Sequence, residues 1–123
     1  VEDLHLGFIE FYYVQRAALY VEYANNRLDE LEALEEKGAP PALLVDVVED
    51  FWTDEKKALR ELSLNQVKTD DTSAVKQAIR ELKIRQEEVF QELLYRIPDP
   101  EYDRVYEISE RARLDLINAG FED

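Results

Sequence analysis

The stretch Lys37-Gly38-Ala39-Pro40-Pro41 constrains this chain most, because it separates two amphipathic segments with a stop followed by a restart. Before it, Val14, Ala17, Val21, Ala24, Leu28 and Leu31 recur at alternating steps of three and four residues, which places them on one helical stripe. After it, Leu44, Val48, Phe51, Ala58 and Leu62 form a second stripe. Gly38 suits the left-handed residue that closes a helix, and Pro41 suits a first helical turn, where a missing N–H costs nothing. The spacing predicts helices from about Leu4 to Lys37 and from Pro41 to Leu64, folded against each other as an antiparallel hairpin. Gly7 marks a late start or a kink in the first. Phe51 and Trp52 are adjacent, so one fills the core and the other lies at its edge. Glu55 falls on the inner stripe, where its carboxylate is expected to reach outward or to meet an arginine.

The remainder follows the same logic. Asn65 to Thr72 reads as an exposed polar linker. Thr72 or Ser73 caps a third helix from about Ala74 to Arg96, with Val75, Ile79, Leu82, Val89 and Leu93 as its stripe. Gln86 interrupts that stripe and reads as a register-setting residue. Ile97-Pro98-Asp99-Pro100 breaks the chain, and Asp99 as cap with Pro100 in the first turn starts a fourth helix. Tyr102, Val105, Ile108, Ala112 and Leu116 line that helix, and Gly120 ends it. Only three glycines and four prolines punctuate 123 residues, and they fall mainly between the periodic segments. The expected fold is all-α: a single domain over residues 1–123, an antiparallel up-down-up-down four-helix bundle with a long first helix.

Charge narrows the function classes. The chain carries 29 acidic and 15 basic residues, a net charge of −14. Nucleic-acid binding and adhesion to an anionic bilayer both need a basic face, so both are disfavoured. The third helix holds five cations, Lys76, Arg80, Lys83, Arg85 and Arg96, and is the one segment suited to an acidic partner or to the acidic helices of its own bundle. No run is long and apolar enough to span a membrane. The chain opens at Val1 and has no methionine, so it reads as a piece of a longer protein, with any signal or anchor outside it.

Catalytic and cofactor motifs are missing. Without cysteine there is no disulfide, thiol nucleophile or thiolate metal site. His5, near the start, is the only histidine, so the two glutamate–histidine pairs of a ferritin-like di-iron centre cannot both be made, and a serine–histidine–aspartate triad would rest on that same terminal residue. The three glycines are isolated, so no phosphate-binding loop forms. Asp99, Glu101, Asp103 and Glu110 fall at calcium-loop spacing, but Arg104 stands where such a loop needs glycine, and a helix start explains them better. Asp46, Glu49, Asp50 and Asp54 share a helix face and make weak cation binding an alternative reading.

Aromatic residues are the more unusual feature. Phe8, Phe11, Tyr12 and Tyr13 make the opening turns of the first helix apolar nearly all round, and Tyr20 and Tyr23 follow. Tyrosine suits both bundle edges and recognition surfaces. Phe8, Phe11, Tyr12 and Tyr13 are therefore the candidate partner-binding residues, for a protein partner or for self-association. No catalytic or metal-ligating residues are assigned and no cofactor is expected.

The run Tyr20-Val-Glu-Tyr-Ala-Asn-Asn-Arg-Leu-Asp-Glu-Leu-Glu-Ala-Leu-Glu-Glu-Lys-Gly38 resembles the bacterial helical domain of unknown function DUF5667. The acidic helix Leu43 to Leu62, the segment Arg85-Gln-Glu-Glu-Val-Phe-Gln-Glu-Leu-Leu and the closing Val105-Tyr-Glu-Ile-Ser-Glu-Arg-Ala-Arg extend the likeness over most of residues 12–118. The resemblance implies an extracytoplasmic bacterial domain, often placed after a membrane anchor, and no catalytic residues. Phe8 to Tyr13 is more aromatic than the family pattern. The resulting expectation is a non-enzymatic interaction or sensing module at the cell envelope. The alternatives are an acidic cation-binding bundle or a cytosolic ligand-sensing regulatory domain.

Overall fold

The computed structural model describes the backbone of residues 2–64 and 72–121, with side chains described from Phe11 onward. Residues 65–71, most of the expected linker, lie outside the described residues. Four helices make up the fold: α1 (Glu2–Glu36), α2 (Pro41–Leu64), α3 (Thr72–Arg96) and α4 (Glu101–Asn118). α1 begins ahead of Gly7, and α2 has the bounds that the sequence predicts.

Two glycine caps close α1 and α4 in the same way. Gly38 has φ of 72°, its N–H donates to Glu35 O at 3.0 Å, and the Ala39 N–H reaches back to Leu34 O at 3.0 Å. Gly120 has φ of 98°, its N–H donates to Ile117 O at 3.0 Å, and Phe121 N–H reaches Leu116 O at 2.9 Å. A residue with a Cβ is strained at such angles, so glycine sets both stops. The second cap also folds Phe121 back onto the core, where it is buried. The start of α4 differs from expectation: Pro100 stands at the cap and no side chain caps the helix, so Asp99 is not its cap. The turn closes through the backbone instead, with Tyr102 N–H donating to Pro98 O at 3.0 Å.

Consecutive helices run in opposite directions, up-down-up-down. Arg16 pairs with Glu61 and Arg27 with Asp54, which sets α1 and α2 antiparallel. Arg104 pairs with Glu49, and Trp52 bonds to Asp115 farther along, so α2 and α4 run the same way. Among the described residues, α1 packs beside α2 and α3, and α4 packs beside α2 and α3. α2 and α3 therefore stand diagonally opposite, as do α1 and α4. Helices on a diagonal meet only through side chains long enough to cross the centre.

All six residues of the first stripe are buried, as are Leu44, Val48, Phe51 and Ala58, the whole apolar stripe of α3, and Val105, Ile108, Ala112 and Leu116. Leu62 is half-buried, and Tyr102 lies outside the core at 36% exposure. Val47, Phe90, Ile97 and Phe121 join the core without having been assigned to it by periodicity. Ala17, Ala24, Ala58 and Ala112 are all but inaccessible, so the facing backbones come close at these positions. Across the diagonal, Phe51 meets Phe90 edge to face, with ring centroids 5.2 Å apart and an interplanar angle of 90°. Phe51→Ala is expected to lower unfolding stability by about 3–5 kcal/mol, read from urea denaturation, because it removes a large ring whose space cannot collapse.

Candidate functional site

The register of α1 against its neighbours defines the first candidate region. Arg16 lies opposite Glu61, so Leu64, at the end of α2, comes level with Tyr13. Arg85 reaches Asn25, Asp29 and Glu32, which brings Thr72, the start of α3, level with about the same part of α1. The turns of α1 from Glu2 to Tyr12 extend beyond both, by roughly 16 Å at 1.5 Å per residue.

At the root of this extension Phe11 is 55% and Tyr12 50% exposed, while Tyr13 is half-buried. The Phe8 side chain lies outside the described residues. Tyr12 and Tyr13 rings meet edge to face at 5.5 Å. Arg16 ties this patch to the bundle. Its Nε donates to Glu61 at 3.1 Å, and its terminal nitrogens donate to the Tyr12 hydroxyl at 3.3 Å and the Tyr20 hydroxyl at 3.0 Å. The guanidinium also lies 5.5 Å and 5.6 Å from the centres of those two rings. The hydrogen bond with Glu61 holds the Arg16 pKa above its ordinary value. The patch is thus a cation-organised aromatic surface rather than a set of loose rings. The structure brings Tyr12 and Tyr13 together, with Phe11 exposed beside them along the helix, and sequence periodicity alone does not reveal the part played by Arg16.

A second cluster of tyrosines lies at the α3–α4 face. Tyr95 is 90% exposed, and Tyr102 and Tyr106 stack at 6.2 Å with an interplanar angle of 11°. Leu94, Gln91, Ser109 and Arg113 complete this shallow groove.

The second candidate region is internal. Glu55 does not reach outward and meets no arginine: it is 1% exposed, and neither carboxyl oxygen has a hydrogen bond of good geometry among the described residues. Its position correctly falls on the inner stripe, but α3 supplies Gln86 across the diagonal and closes the route to solvent. Gln86 is 2% exposed, and its Oε1 is likewise without a hydrogen bond. Burial pushes the Glu55 carboxyl up to about 8, opposed by a weaker interaction with Gln86 and reinforced by the negative charge of Asp115. Asp115 is itself held by Trp52, whose Nε1–H donates to Oδ2 at 2.9 Å, and Lys56 covers the Trp52 ring at 3.7 Å. Trp52 is therefore the edge residue of the Phe51–Trp52 pair.

The charges of the third helix are largely engaged inside the bundle. Arg85 donates to the Asn25 carbonyl at 3.2 Å and side chain at 3.1 Å, to Glu32 at 2.8 Å and to Asp29. Lys83 pairs with Glu87 and Arg96 with Glu92, and Arg80 lies 6.0 Å from the Phe121 ring. On the acidic face of α2, Glu49 meets Arg104 and Asp54 meets Arg27. Among the described residues no three histidine, cysteine, aspartate or glutamate side chains converge as a metal-holding group. The Asp99–Glu110 spacing is mostly helix, from Glu101 onward. No described helix is long and apolar enough to cross a membrane.

No family model, curated protein or solved structure matches this chain.

Arg85→Ala is expected to destabilise the bundle by about 1–2 kcal/mol in chemical denaturation, because it leaves partly buried acceptors on α1 without their donor. Arg85→Lys is expected to recover less than half of that loss, since a point charge cannot reproduce the planar fork.

Proposed function

We propose that this protein is a non-catalytic helical interaction or sensing module of the bacterial cell envelope, and that the opening turns of α1 are its recognition surface. The observation that carries this reading is the exposure of Phe11 and Tyr12 where α1 passes the ends of its neighbours. Exposed aromatic rings, Tyr12 among them held by Arg16, are residue types that contribute strongly to protein–protein contacts. The sequence resemblance to DUF5667 supports the extracytoplasmic placement, with an anchor outside this chain. The acidic surface, at a net charge of −14, favours a protein partner over nucleic acid or anionic lipid.

The reading separates binding from folding. Phe11→Ala with Tyr12→Ala is expected to change unfolding stability by less than about 1 kcal/mol, because both side chains are half exposed. A photo-crosslinking residue at position 12 of the full-length protein in cells is expected to trap one discrete envelope protein, while the same group at position 95 does not. Phe11→Ala is expected to suppress the product at position 12. Equal products from both positions, or a double substitution that unfolds the chain, would contradict the assignment.

A further inference from the structure

The interior of the bundle contains a polar layer that the recognition surface does not use. Glu55 and Gln86 interact between diagonally opposed helices, and Glu55 Oε1, Glu55 Oε2 and Gln86 Oε1 are all buried without a hydrogen bond of good geometry when Glu55 is taken as a carboxylate. A carboxylate has only acceptors, so toward Gln86 it can use only the amide N–H, which leaves the amide oxygen without a donor. A neutral carboxylic acid changes this balance, because its O–H can donate to Gln86 Oε1 and satisfy atoms on both helices with one proton.

Apart from the Gln86 amide N–H, which steadies the ionised form, the surroundings favour that proton. From α1, between the Arg16–Glu61 and Arg27–Asp54 pairs, the buried residues are Ala17, Val21 and Ala24, and both arginines are already engaged with other carboxylates. On α3 the near cation is Lys83, which pairs with Glu87 at 3.1 Å. From α4 the titratable neighbour is Asp115, a like charge tied to Trp52. On α2 itself Asp54 is 9% exposed and adds another carboxylate, 3.5 Å from Arg27.

We propose that Glu55 and Gln86 form a proton-operated latch: the protonated acid joins α2 to α3 across the bundle centre, and loss of that proton loosens this layer. α2 and α3 share no close backbone approach among the described residues, so the layer depends on such side-chain contacts. An ionised Glu55 would place a charge in a dry interior, steadied only weakly by the Gln86 amide N–H, and hydration of the layer is the available relief. The inference concerns the isolated bundle and does not rest on the envelope reading.

The direction of the pH dependence follows from linkage. The folded state holds the Glu55 proton more tightly than the unfolded chain, with a carboxyl value of about 8 against an ordinary 4.5. The contribution of this group is fully present below about pH 4.5 and is lost as pH rises through about 8. Other carboxylates titrate too, so the test compares the purified chain with Glu55→Gln, which keeps the shape and cannot ionise. The ratio of unfolding constants, parent over Glu55→Gln, is expected to rise about a hundredfold or more between pH 5 and pH 8, from denaturant curves at each pH. A ratio flat in pH overturns the proposal. Should Glu55→Gln fail to fold, the carboxyl ¹³C shift of Glu55 in the parent chain decides: titration above pH 7 is expected, and titration in the ordinary carboxylate range overturns the proposal. Hydrogen exchange, corrected for intrinsic rate, is expected to show protection falling first around Leu82–Leu93 as pH rises. Loss that is uniform over all four helices would mean lower global stability without a latch.

Discussion

The contact across the diagonal between α2 and α3 is the interaction on which this bundle depends. Phe51 against Phe90 and Glu55 against Gln86 occupy successive levels of the same line through the core. α1 and α4 flank that line, and their small residues Ala17, Ala24 and Ala112 let the large side chains meet in the middle. An apolar layer alone would supply burial but would tolerate sliding of one helix past another. A glutamine facing an acid has fewer acceptable partners, since any shift leaves buried polar atoms without one. The pair thus exchanges some stability for a fixed register, the role that sequence spacing suggests for Gln86.

Ion pairs around the perimeter act in a different way. Arg85 fastens α3 to α1, Arg16 and Arg27 fasten α1 to α2, and Arg104 fastens α4 to α2. Most are partly exposed, so each adds little energy, but together they fix direction and neighbour choice. The same arginines neutralise part of the acidic surface of α1 and α2. The surface that remains is still strongly acidic, at a net charge of −14, and carries the exposed aromatic residues Phe11 and Tyr12 near the start of α1.

Much of the fold was legible because helical periodicity and glycine–proline punctuation are local signals. Leu28, Phe51, Ile79 and Ile108 each fall on a stripe, and Gly38 and Gly120 each close a helix. Neighbour order was not legible, since the stripes say which face is buried but not which helix covers it. That gap explains Glu55: its position on the inner stripe was visible, while the Gln86 opposite it depends on α2 and α3 sharing a diagonal. It also explains Phe121, which reaches the core only because the cap at Gly120 turns the chain back. At the start of α4, Asp99 followed by proline resembles a capping signal, yet backbone closure from Tyr102 to Pro98 takes its place. Of the candidate surface, Phe11 and Tyr12 were visible as residue types, whereas their exposure comes from the unequal lengths of α1 and α2.

A double-mutant cycle between Glu55→Leu and Gln86→Leu, measured by urea denaturation at pH 6, tests the central claim most directly. Each single substitution leaves one buried polar group facing a hydrocarbon, whereas the double substitution removes both. The account predicts that the double variant is more stable than the sum of the single losses requires, with a coupling of about 1–3 kcal/mol. Losses that add independently would show that Glu55 and Gln86 do not act on each other, and would contradict a bundle organised around their contact.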